Sequence, residues 1–237
     1  MDKGAAAMIG AVVLAGGQGK RMQAGMNKQY LTVEGRSVLS CAIESMAAVS
    51  EALIVVAAKG EEDKAWNAIA ESGVDKARVQ VVEGGKERQD SVRHALAAMP
   101  ETWEKVLIHD GARPFVPKDM LERILAATAP GIGVVPGLSV TDTIKRIDAS
   151  GFIIETPPRS QLRAAQTPQC FMAQEICALH LAVADSGQIF TDDAALYEYG
   201  GKRVRMVEGD AMSRKLTVPD DMLWAIEMKH AWEAQKQ

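Results

Sequence analysis

Short apolar runs rich in Val, Ile and Leu recur at Ile9–Leu14, Leu53–Ala57, Arg78–Val82, Val106–His109 and Gly133–Pro136. They lack polar/apolar alternation, so each strand must be covered on both faces, as parallel strands joined by helical crossovers are. The intervening stretches Val38–Ala48, Glu62–Ala70, Asp90–Met99 and Lys118–Ala127 have helical spacing and supply those crossovers. Ser37, Gln89-Asp90 and Pro117 stand where helices begin, each offering an acceptor or a fixed φ to free backbone N–H groups. The pattern predicts an α/β fold with a doubly wound, mainly parallel sheet.

After Pro136 the rhythm changes. Val140–Ile147 and Phe152–Thr156 flank Asp148-Ala149-Ser150-Gly151, which is turn chemistry, and Pro157-Pro158 stops the second strand. A β-hairpin arm over residues 139–157 is expected, projecting from a single domain spanning 1–237. Helices over Ala173–Ser186 and Asp192–Tyr199, a strand at Arg203–Val207 and a last helix from Pro219 to about Gln235 complete the expectation.

Composition narrows the function. A net charge of −4 without a basic run argues against a nucleic acid polymer as partner, and 5% aromatic residues leave few stacking platforms for single strands. Three cysteines without a Cys-x-x-Cys pair give neither a disulfide framework nor a zinc site, which fits a reducing cytoplasm. The apolar stretch Ala5–Ala15 has the length of a signal-peptide core, but it runs directly into a glycine loop and reads better as a buried first strand. Ala52–Ala58 is far shorter than the ~20 residues of a membrane-spanning helix, so no membrane association is expected.

The residues with chemical potential cluster where strands end. The first strand runs into Ala15-Gly16-Gly17-Gln18-Gly19-Lys20-Arg21, and ligands bind at that edge of an open α/β sheet. A Walker A loop is excluded because Arg21 follows Gly-Lys and Leu14 stands where its first Gly belongs; a dinucleotide fingerprint is excluded by Met22. The loop reads as a phosphate cradle or as an ordinary βα turn. Lys28, seven residues on, is a surface lysine or a second phosphate cation. Gly84-Gly85 with Arg88 and Ser91 forms a turn and cap, or reads a base edge. Asp110, in His109-Asp110-Gly111-Ala112-Arg113-Pro114, is a turn residue or an Mg²⁺ ligand, and His109 reads as a buried supporting group. Thr143, Arg159 and Thr167 would suit a polyol phosphate, although a charged edge strand has the same composition. Lys215 is either a surface charge or a phosphate ligand.

Together these stretches resemble the 2-C-methyl-D-erythritol 4-phosphate cytidylyltransferase family of the non-mevalonate isoprenoid pathway. In order, the chain has Ala-Gly-Gly-x-Gly-x-Arg-Met with Lys-Gln-Tyr-Leu, Gly-Gly-x-x-Arg-x-x-Ser, His-Asp-x-Ala-Arg-Pro, Asp-Thr-Ile-Lys-Arg, Gln-Thr-Pro-Gln-x-Phe, Thr-Asp-Asp-Ala and Lys-x-Thr-x-Pro-Asp-Asp. Leu14-Ala15-Gly16-Gly17 replaces the Pro-Ala-Ala-Gly of many relatives and moves the loop toward related polyol-phosphate cytidylyltransferases and sugar nucleotidyltransferases; a ribitol 5-phosphate or other polyol-phosphate cytidylyltransferase is the alternative reading. The resemblance implies a Rossmann-like nucleotidyltransferase fold and Mg²⁺-assisted transfer from CTP to methylerythritol phosphate. It implies catalytic roles for Arg21, Lys28, Arg159 and Lys215. Substrate contacts would come from Ala15, Gly16, Gly17, Gly85, Arg88, Ser91, Arg113, Thr143 and Thr167, with Asp110 on the metal. It also implies a homodimer whose arm, with Thr143 and Arg159, serves the neighbouring site.

Overall fold

The computed structural model describes residues 8–16, 27–218 and 220–234. Gly17 and Arg21 lie outside the described residues. The chain begins with β1 (Met8–Ala15), a small ribbon of β2 (Thr32–Val33) and β3 (Arg36–Ser37), α1 (Val38–Ala47), β4 (Ala52–Ala57), α2 (Glu62–Ser72), β5 (Val79–Glu83) and α3 (Arg88–Ala97). It continues through β6 (Trp103–Asp110), α4 (Lys118–Ala127), β7 (Ile132–Ser139) and an arm ribbon of β8 (Arg146–Ile147) and β9 (Ile153–Glu155). Then come β10 (Arg163–Ala165), β11 (Gln169–Met172), α5 (Ala173–Ala182), α6 (Asp193–Tyr199), β12 (Arg203–Glu208) and α7 (Asp221–Ala234).

The main sheet has eight strands, in the order β5-β4-β1-β6-β11-β7, with β10 and β12 also paired to β7. β1 lies at its centre, parallel to β4 and β6, with Ala15 opposite Ala57 and Leu14 opposite Asp110. β11 and β10 run antiparallel to their neighbours, and β12 is parallel to β7. The strand period of two explains how one sheet serves two cores. Val13 and Ala11 join Leu39, Ile43, Ile69 and Met120 on the face covered by α1, α2 and α4. Val12 points the other way, toward Val92, Phe171, Ile176 and Tyr197 under α3, α5 and α6. Each buried Val, Leu, Ile, Met or Phe among them contributes roughly 1.5–3 kcal/mol. A third cluster packs Ala225 and Trp232 of α7 on Phe115 and Leu216, and so anchors the segment that carries Lys215.

The five predicted strands and four crossover helices are all present, displaced by at most a few residues. Ser37 caps α1 by accepting from the Ser40 N–H, and Pro117 immediately precedes α4. The start of α3 needs correcting. Its cap is Glu87, and Asp90 is the third helical residue, reaching back in a reciprocal capping box. The arm is also shorter in regular structure than expected, because β8 and β9 pair over a few residues only, although Gly151 takes the positive φ of 87° that its turn requires.

Candidate functional site at the carboxyl edge of the sheet

Three strand ends converge. The Gly84 N–H donates to the Ala57 carbonyl at 2.8 Å, and a side chain at Gly16 would lie 3.6 Å from that same oxygen, so the loops after β1 and β5 meet over the end of β4. A Cβ on Gly85 would fall 2.2 Å from the Asp90 Cβ, which makes glycine a steric requirement there. The Ser91 hydroxyl accepts the Gly85 N–H at 3.0 Å and fixes this turn to the first turn of α3. Ala15 is held from another side, because the buried Gln29 side-chain amide donates to its carbonyl. Gln29 belongs to the single 3-10 turn Lys28–Tyr30, so the hydrogen bond ties the Lys28 segment to the end of β1.

At the end of β6, Asp110 accepts from two cations. Lys215 Nζ lies 2.7 Å from Oδ2, and Arg88 Nε lies 3.4 Å from Oδ1. Burial alone would raise this carboxyl group, but the charges of Arg88 and Lys215 outweigh it and hold the acid well below the usual carboxylate range. Arg88 is also paired at 2.8 Å with the buried Asp193, and the two acids together raise its guanidinium against the effect of burial.

The group under Asp110 is His109. Thr167 Oγ1 accepts the Asp110 N–H at 3.1 Å, so its own hydroxyl hydrogen points to His109 Nδ1 at 3.0 Å. His109 Nε2 then carries the ring proton and donates to the Arg113 carbonyl at 2.9 Å. Burial pushes the imidazole down to about 4, so it is neutral and serves as a spacer between strand and loop. Arg113 donates to the Ser213 carbonyl at 2.6 Å, the Gln166 amide to the carbonyls of Asp210 and Ser213, and the Leu216 N–H to the Ala112 carbonyl. These bonds suspend the backbone on either side of Lys215 and deliver its ammonium to Asp110.

Ala15, Gly16, Gly85, Arg88, Ser91, Asp110, Arg113, Thr167 and Lys215 therefore gather at one edge of the sheet, with Lys28 tied to it through Gln29. Thr143 and Arg159 are exposed on the arm side, where Arg159 donates to the Thr141 carbonyl at 2.7 Å. Sequence reasoning gave no role to Gln29, Gln166, His180 or Asp193. Only the Thr-Asp-Asp-Ala motif pointed toward Asp193, since polar side chains that bond to backbone leave no periodic trace.

The ordered strand ends and the cluster of cations on one acid define a Rossmann-like α/β nucleotidyltransferase class of protein. The sequence profile of the 2-C-methyl-D-erythritol 4-phosphate cytidylyltransferase (IspD) family matches residues 9–228, and the chain belongs to that family. A Shouchella clausii protein of that name is 41% identical over 217 residues, covering 91% of this chain and 93% of the relative. One from Alkaliphilus metalliredigens is 36% identical, covering 92% and 91%. The chain spans about half of the bifunctional IspD/IspF enzyme of Rhodopseudomonas palustris, 53% of its length at 41% identity. The crystal structure of 4-diphosphocytidyl-2C-methyl-D-erythritol synthase from Anaerococcus prevotii superposes with a TM-score of 0.82 at 27% identity, covering 94% of this chain and 96% of that one.

Proposed function

We propose that the chain transfers the cytidylyl group of CTP to 2-C-methyl-D-erythritol 4-phosphate, releasing pyrophosphate. The observation that carries this reading is the convergence of Lys215 and Arg88 on Asp110 at the strand-end crevice, in a chain of this family. The reaction joins two anions, and charge builds on the α-phosphoryl oxygens as pyrophosphate leaves. Fixed cations oppose both effects, and no general base is needed because the attacking phosphate oxygen is already deprotonated. Arg21 and Lys28 take the role of stabilising that charge, and Lys215 and Arg159 orient the attacking phosphate. The glycines of the first loop, Gly85 and Ser91 hold the nucleotide, together with Arg88 and Arg113, while Thr143 and Thr167 contact the acceptor.

The donor chemistry at Asp110 fits a divalent metal. Its carboxylate stays ionised, and Mg²⁺ is held by one or two carboxylates together with substrate phosphates and water. Among the described residues no cluster of three His, Cys, Asp or Glu side chains gathers for a metal, and Asp110 is the acid this reading assigns to it. When bound, Mg²⁺ supplies charge neutralisation to the triphosphate. Lys215 keeps Asp110 paired beforehand, and the same lysine can turn to the acceptor phosphate once Asp110 has another partner.

The chain acts in this reading as one nucleotidyltransferase unit in the cytoplasm, dimerised through the arm of residues 139–157, with Thr143 and Arg159 acting on the neighbouring site. The free cysteines and the exposed apolar arm residues support these two points. Among the described residues no helix is long and apolar enough to cross a membrane. Pyrophosphate release measured with methylerythritol phosphate and ribitol 5-phosphate, each with CTP, UTP and ATP, tests the reading. Turnover is expected with CTP and methylerythritol phosphate, and preference for ribitol 5-phosphate would overturn the acceptor assignment. Asp110→Asn should shift the Mg²⁺ titration to higher concentration, and an unshifted titration would remove the ligand role.

A further inference from the structure

We propose that Asp193, backed by His180, is a positioning residue that holds the Arg88 guanidinium at the crevice for CTP. The inference rests on the nucleotide reading above and assigns a task to an acid that takes no part in the chemistry itself.

Arg88 is the first residue of α3 and is shared between two carboxylates. The contact to Asp193, 2.8 Å from Nη1, is the closer one, and that to Asp110, 3.4 Å from Nε, is the looser. Asp193 and Asp110 are the acids paired with Arg88 among the described residues, so without Asp193 the guanidinium would be drawn onto Asp110, where it would compete with Lys215. A guanidinium has five N–H donors in a rigid fork, so it can serve two acids and still offer donors to a ligand. The Arg88 side chain keeps 32% of its surface exposed, which leaves it reachable from the crevice.

Asp193 is itself held firmly. Its Oδ1 accepts from His180 Nε2 at 3.1 Å, and both side chains are 2% exposed. Its neighbour Asp192 performs a separate task, capping α6 by accepting the Ala195 N–H and receiving the Gln169 amide at 2.8 Å. The Ala194 N–H donates to the Gln169 side-chain Oε1 at 3.0 Å, so the first turn of α6 is pinned to β11 from both sides of Asp193. Burial would raise the Asp193 carboxyl group, but the Arg88 charge and the His180 hydrogen bond keep it ionised. Buried ion pairs contribute little net stability compared with apolar packing of the same volume. Fold stability therefore gives a poor account of this pair, whereas placement of a cation at a ligand crevice accounts for its position.

The test is CTP binding by calorimetry on the full chain, with thermal unfolding in parallel, for Asp193→Asn, Arg88→Ala and the double variant. Asp193→Asn should weaken CTP binding about tenfold, and KM for CTP should rise far more than kcat falls. The double variant should bind no more weakly than Arg88→Ala alone, because Asp193 acts through Arg88. Asp193→Glu should recover part of the affinity. Wild-type affinity in a folded Asp193→Asn, or losses that add in the double variant, would overturn the inference and leave cytidylyl transfer standing. If Asp193→Asn does not fold, Arg88→Lys gives the decision, since lysine keeps the charge but cannot span both acids. Weakened binding is expected there, and wild-type binding would overturn the inference. A wild-type chain that binds no CTP would overturn the nucleotide reading, and this inference with it.

Discussion

The crevice and the arm solve opposite problems. At the crevice charges meet opposite charges within the chain: Asp110 faces Lys215 and Arg88, and Arg88 faces Asp193. On the arm Ile147, Phe152 and Ile153 expose 57%, 71% and 61% of their surface, and the pair Arg146–Glu155 lies in solvent. A two-stranded ribbon without a core is marginal in water. The crevice is thus preorganised before any ligand arrives, whereas the arm presents apolar surface suited to a second body.

The largest expected effect is on the crevice side. Lys28→Ala should lower kcat by about 10²–10³-fold, the usual result of removing one preorganised charge-stabilising donor. Stopped-flow measurement of pyrophosphate release checks it, and wild-type turnover would end the cation's catalytic role. Next comes His109, which an ordinary imidazole would leave to protonate near 6.5 but which resists in the fold until about 4. Between those values the unfolded chain binds more protons, so stability rises with pH across that window and is lost as the solution is acidified. His109→Gln should flatten the dependence, removing on the order of 3 kcal/mol of pH-linked change. Urea unfolding at several pH values reads this slope, and an unaltered slope would show that the crevice is less dry than its geometry says.

The remaining predictions concern the arm. Phe152→Ser with Ile153→Ser should weaken self-association at least tenfold in analytical ultracentrifugation while shifting chain unfolding by less than about 0.5 kcal/mol. A large loss of chain stability would mean that these residues belong to a core after all. Smallest of all, Arg146→Ala should change unfolding by no more than about 0.5 kcal/mol, as exposed pairs usually do. A greater loss by calorimetric unfolding would blur the contrast between the two regions.

The legibility of the sequence divides in a similar way. β1, β4, β6 and β7 were readable because a strand buried on both faces must be largely apolar, whereas β5, at the sheet edge with Gln80 and Glu83 exposed, is covered less than expected and was legible only from its valines. β10 and β11 were not, since Arg163–Ala165 and Gln169–Met172 are short pieces interrupted by Pro168, with no Val or Ile run to mark them. Asp110 was readable as the acid closing a buried strand. Its supports, Thr167, Gln166 and Asp193, come from distant stretches whose hydroxyls, amides and carboxylates pair with backbone or with one another. Such partners depend on tertiary placement and leave no local period.

The hydrogen bond from Gln29 to the Ala15 carbonyl has a consequence for variation in chain length. It clasps Ala15 to a residue fourteen positions later, so the end of β1 and the turn that carries Lys28 are held together directly. Closing a loop costs free energy that grows only with the logarithm of its length. Residues added or removed between Gly16 and Asn27 should therefore leave the sheet's thermal stability nearly untouched while abolishing turnover.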